Sequence, residues 1–199
     1  MLFPVANSIV QAAVNTMGTD TIAAWGICDK LDMLIWLLAD AMGPALTTYT
    51  AQNMGAGRWD RVCKGNRIGA AMSVAAVGTV SLGLYFLTAP LGDLFVPVQD
   101  AAAVVPQAVA FMRRMAPFFL FYALAESFSG ACCGTGDTVR PMILTLLSIC
   151  LLRVLGILLV LPRQHTMECI IDIYISSWIA AGIGFLILWQ WEKNKVQKT

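Results

Sequence analysis

Three ionisable residues interrupt long apolar stretches of this 199-residue chain: Asp40, Glu126 and Arg153. A charge at the centre of a membrane helix costs about 2.5–3.5 kcal/mol on insertion scales, so such residues face a cavity or each other. Asp40 follows Asp32 and Trp36 at four-residue steps and shares a helix face with them. Its carboxylate suits a cation or substrate contact in a central cavity. The alternative is a solvated carboxylate beside a kink. Glu126 suits the same work. Desolvation favours the protonated form of a carboxylic acid, and a cation competes with that proton. That competition is the chemistry of ion-coupled exchange. The alternative for Glu126 is a structural ion pair with Arg153. Counted from Gly134 and Pro141, the two lie about 12 Å and 18 Å from the same end of adjacent antiparallel helices at 1.5 Å per residue. Two long side chains bridge that difference. Asn7, Gln11 and Asn15 also recur every four residues. A polar stripe on a spanning helix faces protein or water rather than lipid. These three, with Trp36, are candidates for lining a substrate path; hydrogen bonds between helices are the alternative.

The elements that position these residues must be membrane helices. Only 13% of residues are charged, against about 25% in a soluble domain. The mean hydropathy is +0.72. A net charge of +1 gives no basic patch for nucleic acid. No nucleophile, base and orienting group occur together, so an enzyme is not expected. The cysteines at 28, 63, 132, 133, 150 and 169 have no CxxC spacing and read as small packing residues. His165 reads as an interfacial polar residue, and no metal site or cofactor is expected. Residues 1–17 lack the basic start of a cleavable signal.

Six candidate spans follow, at about 2–17, 21–54, 68–87, 110–133, 141–161 and 170–191. The second is too long for one upright crossing. Its first part, around Asp29, Lys30 and Asp32, is expected to lie tilted at the interface, with a bend at Gly43-Pro44. The stretch "GAGRWDRV" has neither a Walker lysine nor a preceding strand, so it is no phosphate cradle. It reads as a glycine-capped helix end followed by a basic row, Arg58, Arg61, Lys64 and Arg67. Ala71, Ala75, Thr79 and Gly83 form a small-residue ridge suited to close helix approach. Residues 88–105, with Pro90 and Pro97, read as a loop and an interfacial stretch.

Five phrases in order carry a resemblance. "AAVNTMGTDTIAAWGICDKLD", "AQNMGAGRWDRVCKGNRIG", "ALAESFSGACCGTGDTVRPMI", "LLRVLGILLVLP" and "DIYISSW" are similar to the C-terminal half of the multidrug and toxic compound extrusion (MATE) family. The resemblance covers essentially the whole chain. It implies an all-α membrane fold in which residues 1–199 form one six-helix bundle of a two-bundle transporter. It implies export of organic cations and drugs driven by Na⁺ or H⁺, and it places Glu126 at a helix-ten carboxylate found in many members. The expected partners are the lipid bilayer, small cationic substrates, and a first bundle or a second copy of this chain. The chain departs from the family pattern at Leu38 and Ile175, where prolines are frequent, and at Cys133, where arginine is frequent. Two other readings remain open: a truncated or accessory membrane subunit without transport activity of its own, and a flippase of lipid-linked precursors with a related fold.

Orientation follows from Lys and Arg. The side holding Arg58, Arg61, Lys64, Arg67, Arg140, Lys193, Lys195 and Lys198 has eight, against Arg113, Arg114 and Arg163 on the other. The eight-charge side, with the C-terminus, is expected in the cytoplasm of a cell whose inner membrane the chain crosses repeatedly. A cysteine placed at Lys195 should resist impermeant thiol reagents in intact cells; labelling from outside reverses the orientation.

Overall fold

The computed structural model describes residues 2–196, without the side chains of residues 2, 3, 5 and 196. Lys198, counted in the charge argument, lies outside the described residues. The described residues are helical, with no strand among them. The order is α1 (Leu2–Val14), α2 (Thr19–Gly55), α3 (Trp59–Gly92), α4 (Val98–Met115), α5 (Phe119–Gly134), α6 (Val139–Thr145), α7 (Leu152–Leu159) and α8 (Met167–Val196). A 3₁₀ turn at Ala116–Phe118 joins α4 to α5 around Pro117, and a π turn at Leu146–Leu151 joins α6 to α7. Four stretches are long and apolar enough to cross a membrane: Trp59–Gly92, Val98–Gly134, Val139–Leu159 and Met167–Lys195.

Several boundaries differ from the expected spans. α2 runs unbroken through Pro44. Its first half packs into the bundle: Ala24, Cys28, Leu31, Asp32 and Ile35 are buried. Those residues recur at three and four, the spacing of one helix face. α3 begins nine residues before the expected span, so Arg61, Lys64 and Arg67 are helical. The expected loop at 88–105 is mostly helix, because Pro97 caps α4 and fixes a φ compatible with a helix start. The small ridge Ala71, Ala75 and Thr79 is exposed; α3 buries the neighbouring face through Ser73, Val77, Ser81 and Leu84.

The turn after α2 has the expected glycine chemistry. Gly57 sits at φ 67, in the left-handed region. The Arg58 N–H donates to the Asn53 carbonyl and the Gly57 N–H to the Met54 carbonyl. That pair of bonds satisfies two carbonyls at the helix end.

α5 is the central helix, packed on α2, α3 and α8. Its contact with α2 is a backbone approach. A Cβ built on Gly130 would lie 2.2 Å from the Gly43 carbonyl oxygen. One on Gly134 would lie 2.6 Å from the Thr47 carbonyl oxygen. The Thr47 hydroxyl lies 3.0 Å from the carbonyl oxygens of both Gly43 and Gly130, so its single proton serves either. α8 is tied at both ends. Arg140 lies 2.9 Å from Asp137 and 3.0 Å from Glu192, with its guanidinium over Trp191. Partial burial opposes ionisation of Asp137, but the Arg140 backbone N–H and guanidinium outweigh it and hold the carboxyl below the usual range. At the other end Arg114 donates two hydrogen bonds to Asp172, at 2.9 and 2.7 Å.

Gly130→Ala should force α2 and α5 apart, costing about 1–3 kcal/mol as overpacking does. Gly83→Ala, with nothing within 4 Å of the added carbon, should be neutral. Thermal unfolding of the two variants in lipid nanodiscs checks this; equal midpoints would contradict the close approach.

Candidate cation and substrate site

The α2–α5 approach brings two of the sequence candidates together. Asp40 lies one turn before Gly43, and a Cβ on Gly43 would sit 3.6 Å from Glu126 Oε2. Glu126 therefore points at α2. Tyr122, one turn before Glu126 on α5, donates from its hydroxyl to Asp40 Oδ1 at 2.6 Å. Pro44 has no N–H to give the Asp40 carbonyl four residues earlier. Asp40 therefore offers a carboxylate and a released backbone oxygen beside the Glu126 carboxylate. Hard cations take such oxygen sets.

The second part of the site is a cavity of about 310 Å³ between α1, α2 and α8. Asn7 and Gln11 line it from α1, Asp29, Asp32 and Trp36 from α2, and Tyr174 from α8. Asn7, Gln11 and Trp36 thus meet, as their spacing suggests. Asn15 does not line the cavity. It accepts a hydrogen bond from the Gln11 side-chain amide at 2.9 Å and so orients that residue. Asp32 is 7% exposed. Its Oδ1 and the Oδ1 of Asn7 are buried without a hydrogen-bond partner among the described residues. Buried acceptors of this kind call for a donor, a water or an ion.

Aromatic rings join the two parts. Trp36 lies 5.2 Å from Tyr122, Tyr122 lies 6.5 Å from Trp178, and Trp178 lies 5.8 Å from Tyr174. Trp25 meets Tyr174 edge-on at 5.5 Å. Trp36 belongs to the cavity wall and to the Asp40–Tyr122 cluster alike.

The expected Glu126–Arg153 ion pair is absent: among the described residues no carboxylate lies within 4 Å of Arg153. Arg153 is fully buried and faces α8. Its Nε donates to Ser177 Oγ at 2.9 Å, and its guanidinium lies 4.0 Å from the Tyr174 ring. Its two terminal nitrogens have no hydrogen-bond partner among the described residues. The helices that carry the two residues, α5 and α7, make no appreciable contact with each other, and α8, which packs on both, receives Arg153. The π turn at Leu146–Leu151 precedes Arg153 and inserts an extra residue into its turn. Asp32, Tyr122 and Tyr174 were not singled out from the sequence as site residues. Four-residue spacing carried the signal for two of them, since Asp32 precedes Trp36 and Tyr122 precedes Glu126 by four.

The MatE family model matches residues 1–159. The "Probable multidrug resistance protein YoeA" of Bacillus subtilis (strain 168) is 19% identical over 203 residues, an alignment covering 100% of this chain and 43% of that protein. The "Probable multidrug resistance protein YpnP" of the same organism is 26% identical over 144 residues, covering 72% of this chain and 32% of that protein. The chain spans less than half the length of these curated relatives. Four apolar helices of spanning length and a family match over most of the sequence agree, and the chain belongs to the MatE family.

Proposed function

We propose that this chain forms one bundle of a multidrug exporter, in which α1 and α2 cross the membrane with the four strongly apolar stretches. The cavity bounded by Asp29, Asp32, Trp25, Trp36 and Tyr174 takes an organic cation. Carboxylates supply the opposite charge, and aromatic faces attract cations through their quadrupoles. Asp40 and Glu126 hold the coupling ion, Na⁺ or H⁺. The observation that carries the reading is the position of Trp36, which lines the cavity and packs on the tyrosine bonded to Asp40. Ion occupancy at Asp40 and Glu126 then has a short mechanical route to the substrate wall. A second bundle, encoded separately or supplied by another copy of the chain, provides the facing wall, since alternating access moves one bundle against another.

Two outcomes test this. Expressed alone in a drug-sensitive host, residues 1–199 should give no resistance while monomeric; resistance should require a second bundle. In the assembled transporter, Asp32→Asn should weaken binding of a monovalent organic cation about tenfold, which corresponds to about 1.4 kcal/mol. Asp40→Asn and Glu126→Gln should abolish gradient-driven export and change that affinity less than threefold. Full resistance with Asp32→Asn, or transport that survives both neutralisations at Asp40 and Glu126, would overturn the assignment.

A further inference from the structure

A second cavity lies at the end of the bundle that holds the start of α3 and the end of α8. It measures about 550 Å³. Lys64 and Arg67 line it from α3 and Lys193 from α8, with Asp60 as its one acidic residue. None of the three cations forms an ion pair among the described residues. The floor is aromatic: Trp189 lies 6.0 Å from Trp59 and 6.2 Å from Phe128. Trp59 Nε1 is buried there without a hydrogen-bond partner among the described residues. An indole N–H is a donor only. An unsatisfied buried donor beside three unpaired cations calls for an anionic acceptor.

The surroundings say which anion. α3 and α8 both pack on α5 but not appreciably on each other, so a trough runs between them over α5. Below Lys64, at four-residue steps on α3, stand Ile68 and Met72, which are 49% and 60% exposed. On α8 the cavity-lining Leu186 stands two turns before Lys193, with Ile187 and Ile183, 65% and 48% exposed, on its outer side. The charged cavity therefore opens onto apolar flanks, the profile of a phosphate group carrying acyl chains. Basic pockets between spanning helices select anionic headgroups.

We infer that this cavity binds the headgroup of an anionic phospholipid, with the phosphate between Lys64, Arg67, Lys193 and the Trp59 indole, and acyl chains along the trough. The assignment is independent of the transport reading and of which membrane face the C-terminus occupies. A zwitterionic lipid brings an ammonium group toward the three cations and is disfavoured.

The test reconstitutes the full chain in vesicles and measures quenching of tryptophan fluorescence by lipids brominated on their acyl chains. Brominated phosphatidylglycerol should quench at least fivefold more effectively than brominated phosphatidylcholine at equal mole fraction. The triple variant Lys64→Gln, Arg67→Gln, Lys193→Gln should lose that preference. These side chains lie at the surface, and an unchanged helical circular-dichroism signal confirms the fold. Arg58→Gln, a loop charge outside the cavity, should keep the preference. Inorganic phosphate at millimolar concentration should not displace the lipid. Equal quenching by both lipids, a preference retained in the triple variant, an equal loss in Arg58→Gln, or displacement by phosphate would each overturn the inference.

Discussion

The approach of α2 to α5 at Gly43 and Gly130 sets the geometry on which the rest of the structure depends. Helices in lipid gain little from the hydrophobic effect when they meet, so close backbone packing is a main source of affinity. Gly130 and Gly134 remove the side chains that would hold the two axes apart, and the Thr47 hydroxyl bridges the gap. This contact fixes depth as well as distance. Asp40 lies one turn from Gly43, and Glu126 lies one turn from Gly130, so closing the glycine contact places two carboxylates opposite each other. Tyr122 bonds Asp40 across the same seam. Pro44 falls within the seam too, where it withholds an amide proton from the Asp40 carbonyl. A substitution that widened this contact would disturb oxygen atoms from both helices at once.

Buried charge is arranged in separated halves. Arg153 holds two unpartnered donor nitrogens on one side of Tyr174, while Asp32 and Asn7 hold unpartnered acceptor oxygens in the cavity that Tyr174 also lines. Leaving a buried polar group unsatisfied costs about 1–3 kcal/mol, more when it is charged. The aromatic ring gives the guanidinium a cation–π contact, and Ser177 accepts from its Nε, which offsets part of that cost. Among the described residues no side chain bonds the Oδ1 atoms of Asp32 and Asn7 on the acidic side. Its unsatisfied oxygens line a cavity rather than packed core, which is the arrangement expected where a mobile ligand completes the bonding.

Periodicity made much of this legible in the sequence. Four-residue steps put Asn7 with Gln11, and Asp32 with Trp36 and Asp40, and the helices keep those faces. The same rule says nothing about which way a face points in the assembled bundle. Ala71, Ala75 and Thr79 form a genuine ridge, yet the adjacent face of α3 also carries small residues and is the one buried. The charges Asp29, Lys30 and Asp32 suggested an interface. In the bundle Asp32 is buried and faces the cavity that side chains of α1 and α8 also line, while Asp29 and Lys30 stay exposed. The Glu126–Arg153 pair failed because rise per residue gives depth but not which helices touch: α8 packs on both α5 and α7, which make no appreciable contact with each other. A π turn, which no local pattern announced, lies between Pro141 and Arg153.

The walls of the cavity between α1, α2 and α8 are not equally anchored. α8 is held at one end by Arg140 with Asp137 and Glu192, and at the other by Arg114 with Asp172 and Glu168. α2 is held along its length by α5, α3 and α4. α1 packs chiefly on α7 and the π turn and makes little contact with α2 or α8. Its buried side chains among the described residues, Ala6, Val10, Ala13 and Val14, are small. Regions with few buried apolar contacts open at the lowest free-energy cost. The wall carrying Asn7 and Gln11 is accordingly the one that can move while Asp32, Trp36 and Tyr174 stay in register. The α1 wall is thus separate from the α2–α5 seam, and Trp36 is the side chain that touches both the cavity and the Asp40–Tyr122 cluster.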